Sequence, residues 1–335
     1  MELLLLPLLG PLHLLSPALN AMTLRDAAAA FRPGLLASTA LGANSLQDPS
    51  WQDTEEIALP LALIPWALGA GVRVAGLATQ APGDGAEEAD FRRVAAEVPD
   101  LQRRLAPVLA AESELQELLS GRLTPALLLD EVLPLVRRIE LGLEQAAGDG
   151  PATGRRFARA AAAVQRLTAL AGAGRVVLLA GLQELPALER ALDHSGVNWQ
   201  LLPRQPEISE AARNRSLLDQ ALTSATLDNR EALLEALERE GSAEAGYHRS
   251  SLLLAAGDAP AALALLERVA NTDFSRPYFL PGWLLARLGQ LRDLAGEREA
   301  ALKAYRGVLA LSWAPAEALE AARDGLAAPF GSGNP

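Results

Sequence analysis

Short apolar runs bounded by turn residues alternate with helix-period stretches over the first 205 residues, a pattern that predicts a mostly parallel sheet with helical crossovers. The runs are Leu3 to Leu9, Leu35 to Ser38, Val72 to Leu77, Arg175 to Ala180 and Asn198 to Leu202. Thr23-x-x-Asp26 has the form of a helix N-cap with an acid in the first turn; it opens a helix through Ala27 to Phe31 that ends before Pro33-Gly34. Between Glu87 and Ala171 there is no strand pattern. Pro99, Pro107, Gly121, Pro125 and the Gly148-Asp149-Gly150-Pro151 loop punctuate several helices there, which read as an insertion or cap. Pro203 to Ile208 reads as a linker, because uninterrupted helix pattern follows it to a frayed tail, Gly331 to Pro335. The expected fold is an α/β domain with a helical insertion over residues 1–205, joined to an all-α helical-repeat domain over residues 206–335.

The second half carries a repeat signature. A tetratricopeptide unit packs two antiparallel helices through small residues: a Leu-Gly pair in the first helix, Gly at the turn, then Ala and an aromatic in the second. Leu288-Gly289, Gly296, Ala301 and Tyr305 fill those positions, with Arg292 where an aromatic is usual. An earlier unit sets Gly257, Ala262 and Leu266 in the same register, with Arg249-Ser250 in place of Leu-Gly. The two turn glycines stand 39 residues apart, where a regular array has about 34, so the stretch Thr272 to Pro281 must hold extra residues. Asn229 to Glu240 and Ala316 to Leu326 are placed to cap the open apolar faces.

Composition narrows the function classes. Thirty basic residues against 41 acidic ones give a formal charge of −11, and no cationic stripe occurs, which argues against nucleic acid as a partner. Cysteine is absent, which excludes disulfides, thiolate metal sites and a Cys nucleophile, and suits a cytoplasmic location. Met1 to Leu6 lacks a basic flank and is broken by Pro7 and Gly10, so it reads as a buried first strand instead of a signal peptide. Ile57 to Leu77 is interrupted by Pro60, Pro65, Gly69 to Gly71 and Arg73; it reads as helix, turn and strand, and no membrane span is expected.

The chemistry-bearing candidate is Gly10-Pro11-Leu12-His13, directly after the first strand and followed by Ser16-Pro17. Glycine at a strand end lets backbone approach a ligand, and a following His can project over the strand ends where α/β sheets bind ligands. A lone His is more often structural, and a metal needs several converging ligands. Gly148 to Arg155 lacks the ending of a phosphate loop, Gly172-Ala173-Gly174 precedes its strand, and His194 and His248 have no paired ligand spacing.

Over about residues 3 to 202 the order strand, G-x-x-H, Ser-Pro, helix, Arg-Pro, apolar strand resembles the opening of the TraB/Tiki-like family. Ala67 to Thr79, with Gly71, Val74 and Gly76-Leu77, is similar to that family's helix-Gly-strand-G-L-E-T segment. Arg175 to Gly181 with Leu185-Pro186 is similar to its last strand and second G-x-x-H loop. The resemblance implies an α/β scaffold of metal-dependent hydrolases or proteases that rely on two histidines and on acidic residues. Carried over by position, His13 stands at the first histidine, but Pro11 replaces Thr and Glu184 stands at the second histidine. Ala78 replaces the acid of G-L-E-T, Leu36-Ala37-Ser38-Thr39 has none, and Arg155-Arg156 lacks the Asn of an Arg-Asn pair.

The expectation is therefore a non-catalytic scaffold without a cofactor, which binds another protein through its C-terminal helical domain. On the concave side formed by the first helix of each pair, Tyr247, Arg249, Trp283, Arg287 and Arg292 are the candidate binding residues, being aromatic and guanidinium types enriched at interfaces. The alternative is a hydrolase holding a divalent metal on His13 and Glu184.

Overall fold

The computed structural model describes residues 1–47, 49–78, 93–95, 97–148, 151–223, 226 and 228–331. The chain divides into two compact units, Met1–Asp48 with Thr54–Ala212, and Pro49–Asp53 with Arg213–Pro335.

In the first unit the five apolar runs form one parallel sheet: β1 (Glu2–Leu8), β2 (Leu35–Ser38), β3 (Arg73–Gly76), β4 (Arg175–Gly181) and β5 (Asn198–Leu201), in the order β3-β2-β4-β1-β5. The inner strands β4 and β1, like the third inner strand β2, are almost wholly buried, as strands covered on both faces must be, and this is why their sequences run apolar without alternation. One set of their side chains, Leu3, Leu5, Val176 and Leu178, packs with helices α5 (Pro151–Ala171) and α6 (Leu185–Ser195). Helix α1 (Ala21–Phe31) packs against the same two strands with Leu24 and Ala28 buried.

Helix α1 differs from the expected start. Asn20, in extended conformation, is the N-cap: its Oδ1 accepts from the Thr23 N–H at 3.0 Å, which places Thr23 inside the first turn. The Ile57 to Leu77 stretch is helix, turn and strand: a widened turn at Leu59–Leu63 runs into α2 (Ile64–Gly69), Gly71 takes φ +69, and β3 follows. The insertion holds α3 (Pro99–Ser120) and a helix that starts at Pro125–Leu127 and continues through a widened turn into α4 (Leu133–Ala147), followed by α5. Thr79 of the G-L-E-T-like segment, Asp149 and Gly150 of the loop, and the tail after Gly331 lie outside the described residues. Among the described residues no helix is long and apolar enough to cross a membrane.

The C-terminal half is helical throughout: α7 (Glu210–Thr223), α8 (Arg230–Glu240), α9 (Ala243–Ala255), α10 (Ala259–Val269), α11 (Leu280–Leu294), α12 (Arg298–Leu309) and α13 (Ala316–Ala327). Gly257 and Gly296 end α9 and α11 at φ +85 and +77, the left-handed conformation that turns the chain back into the next helix. Ala262 and Ala301 are fully buried. Tyr305, also fully buried, lies flat between two glycines: a Cβ at Gly289 would come within 2.4 Å of its ring, and one at Gly325 within 2.2 Å. In the earlier pair Ser250 and Leu266 occupy the Gly289 and Tyr305 register and are both fully buried, a larger small-side residue facing a smaller partner. The extra residues between α10 and α11 form a loop whose Tyr278 receives the Trp51 ring edge-on at 5.3 Å and the Arg276 guanidinium at 3.7 Å. Trp313 Nε1 donates to Asp53 at 3.1 Å, so this loop and the connection between α12 and α13 hold the Pro49–Asp53 segment.

One buried ionic network joins α7 to α9. Arg215 donates to Asp219 and to Glu244, each at 2.8 Å, and His248 Nε2 lies 3.6 Å from Glu244. Burial pushes Asp219 up to about 7 against the opposing pull of Arg215, and the Glu244 charge adds to the rise.

Enlarging the close-contact residues should overpack the helix pair. Ala301→Leu and Gly289→Ser are each expected to cost about 1–3 kcal/mol in urea unfolding. Tyr305→Leu should offset part of the Gly289→Ser cost, since the double variant copies the Ser250 and Leu266 pairing. Additive costs would show that residue 289 does not meet the 305 ring.

Candidate functional site

A parallel sheet delivers every strand-end loop to the same edge. Pairing Leu8 with Gly181 and Ser38 with Leu179 brings the loops after β1, β2 and β4 together at the carboxyl end. From β2 the chain turns outward to β3, whereas from β4 it crosses β1 to reach β5. Adjacent strands whose connections diverge leave a crevice between them, the place where open α/β sheets hold ligands.

The Gly10 and Gly181 loops meet there, but His13 is not presented to the crevice. The chain leaves β1 through Gly10 at φ +55, and a short 3-10 turn, Gly10–Leu14, folds the histidine back under the sheet edge, fully buried. Its Nε2 accepts from the Leu9 N–H at 3.0 Å and its Nδ1–H donates to the Leu19 carbonyl at 2.5 Å. Burial depresses its pKa to about 4. The neutral ring thus has no free lone pair for a metal, and the ligand role considered for His13 would require at least the backbone bond at the ligating nitrogen to break.

Glu184 does face the crevice. Its Oε2 accepts from the Gly181 N–H at 3.2 Å and from the Thr39 hydroxyl at 2.5 Å, so it closes its own turn and ties β4 to the end of β2. Glu56 converges from the loop before α2, accepting from the Gly10 N–H at 2.8 Å. Burial raises the Glu56 pKa, the Gly10 bond opposes that rise, and the neighbouring Glu184 charge adds to it. Among the described residues no cluster of three metal-ligating side chains occurs. Glu56 escaped sequence reasoning because nothing local links it to a glycine 46 residues earlier; its only signal is Thr54, which accepts from the Glu56 N–H. Beside the crevice Arg156 and Arg159 of α5, with Thr39, Gln183 and Glu184, border a recess of about 170 Å³.

On the helical unit the five expected binding residues separate into packing and surface roles. Tyr247 is buried and stacks on Trp283 with ring centroids 6.1 Å apart, and Trp283 in turn meets Phe279 at 4.8 Å. Tyr247 is thus core, because α9 turns that face toward α10 and α11. Arg249 pairs with Glu238 of α8 at 3.0 Å, and Arg292 pairs with Glu267 of α10 at 3.2 Å. Each arginine therefore staples a first helix to the helix before it. Arg287 is half-buried and has no ion pair among the described residues. The more open surface lies further along, between α11 and α13, where Gln290, Glu317, Glu320 and Asp324 border a groove of about 440 Å³ closed by Pro329 and Phe330. Sequence reasoning missed it because three acids spaced along a helix look like any solvated face.

Compared with protein-family models, curated proteins and solved structures, the chain matches none.

The doubly bonded His13 has a pH consequence. A histidine whose folded pKa is depressed contributes stability that is present above its ordinary value near 6.5 and is lost as pH falls toward about 4. His13→Phe should cost about 1–3 kcal/mol at neutral pH through the orphaned Leu9 N–H and Leu19 carbonyl, and the variant and wild-type unfolding curves should converge near pH 4. A gap that is independent of pH would show that the ring is not buried neutral.

Proposed function

We propose that the chain is a non-catalytic protein-binding protein: a tetratricopeptide-like helical unit carried on an α/β unit of degenerate TraB/Tiki-like kind. The observation that supports this reading most directly is the groove between α11 and α13. Its rim of Glu317, Glu320 and Asp324 suits a cationic partner segment, and Gln290 adds an adaptable hydrogen-bonding group. At its closed end Phe330 is held by a bond from its N–H to the buried Asp293 Oδ2 at 2.9 Å. Within the α/β unit, the commitment of both His13 nitrogens to backbone supports loss of the metal chemistry that the resemblance implies.

Affinity capture from native cells with the full chain, followed by Glu317→Lys with Glu320→Lys, tests the reading. The double variant is expected to weaken the captured partner about tenfold or more, with helicity unchanged by circular dichroism. Arg287→Glu, outside the groove lining, should leave capture intact. Retention of the partner by the folded double variant would move the binding surface elsewhere.

A further inference from the structure

The buried ionic network between α7 and α9 is unequal in charge. Arg215 donates from Nε to Asp219 Oδ1 and from a terminal nitrogen to Glu244 Oε2, each at 2.8 Å. These three side chains and His248 are at most 7% exposed. One guanidinium therefore faces two carboxylates in a place that water does not reach. Charges on the neighbouring helices are engaged elsewhere: Glu238 of α8 pairs with Arg249 of α9, and Glu267 of α10 pairs with Arg292 of α11.

The two carboxylates are not equally served. Glu244 has Arg215 on one oxygen and His248 Nε2 at 3.6 Å from the other. Burial acts to raise its pKa, but Arg215 and His248 together overcome that and lower it. For Asp219 the only cation among the described residues is Arg215, bonded to a single oxygen. The less compensated of two coupled acids is the one that takes up a proton, since neutralising it removes the surplus charge and leaves Arg215 to the other. Asp219 also stands at a mechanical joint. Leu218 and Ala221 of α7 form one buried cluster with Leu233 and Leu237 of α8 and Ala245 and Leu252 of α9, so α7 is the cover over those apolar residues.

We propose that Arg215, Asp219 and Glu244 form a proton-controlled clasp between α7 and α9, closed while Asp219 is neutral and loosened when it ionises, which uncovers the apolar face beneath α7. The clasp lies within the second unit and does not depend on the acidic groove between α11 and α13. With α7 released, the Asp219 carboxyl loses its proton near its ordinary 3.8; with α7 docked it does so near 7. Between those values the docked form binds more protons, so docking weakens as pH rises and levels off above about 7.

Hydrogen exchange of the α7 amides in the full chain, corrected for the intrinsic pH dependence of exchange, tests this. Opening of α7 is expected to become more frequent by up to about tenfold per pH unit from about pH 5 to pH 7, and to change little above that. Asp219→Asn, which keeps the side chain neutral, should abolish the dependence and leave α7 protected at about pH 8. Glu244→Gln, which gives Arg215 to Asp219 alone, should move the levelling-off to lower pH. The wild-type profile and Glu244→Gln decide the question even where Asp219→Asn does not fold. Protection of α7 that is independent of pH in the wild type, an unchanged dependence in Asp219→Asn, or an unshifted break in Glu244→Gln would each overturn the clasp.

Discussion

The parallel pairing of β2, β4 and β1 is the constraint on which the α/β unit depends. Because these strands run the same way, the loops after Ser38, Gly181 and Leu8 emerge at one edge, and Thr39, Glu184, Gly10 and Glu56 can bond across the gaps between them. The result is a strand-end lattice held by carboxylates accepting from backbone N–H groups and a hydroxyl. Such bonds are charge-assisted and therefore stronger than neutral ones. Glu184 closes its own turn in this way, and Glu56 reaches across to the start of the Gly10 turn.

The helical unit has its own tight point at Tyr305. The ring fills the space that two glycines leave, and its hydroxyl donates to Asp293 Oδ2 at 2.9 Å. Asp293 also receives both contacts from Arg298 and the Phe330 N–H, so one buried carboxylate ties α11, α12 and the segment after α13 together. The acidic groove lies immediately beside this joint. Its walls are thus fixed by close packing, which favours binding with little reorganisation.

The sheet was legible in the sequence to within a residue at every strand: the buried inner strands leave unbroken apolar runs between turn signals, and the edge strands β3 and β5 are short stretches bounded by the same signals. Helix positions were legible for the same periodic reason, as were the burial of Ala262 and Ala301 and the left-handed turns at Gly257 and Gly296. The cap of α1 was misplaced because Thr23 and Asn20 are both good caps, and only the backbone angles at residue 20 decide between them. Side-chain partnerships were not legible. Nothing in the order of residues says that His13 folds back onto Leu9 and Leu19, that Arg215 sits between Asp219 and Glu244, or that Arg249 and Arg292 reach preceding helices instead of solvent. Glu56 could not be found for the same reason: its meaning comes from neighbours distant in sequence. The recess bordered by Arg156 and Arg159 forms only when α5 packs over the ends of β2 and β4.

The central claim is that the histidine at the end of β1 is a structural strut, with both ring nitrogens bonded to backbone. Heteronuclear NMR of the His13 imidazole nitrogens tests this most directly. The account predicts a neutral ring protonated at Nδ1 and bare at Nε2, unchanged by added zinc and titrating only near pH 4. A ring that titrates near its ordinary value of 6.5, or whose nitrogens shift on zinc addition, would contradict it.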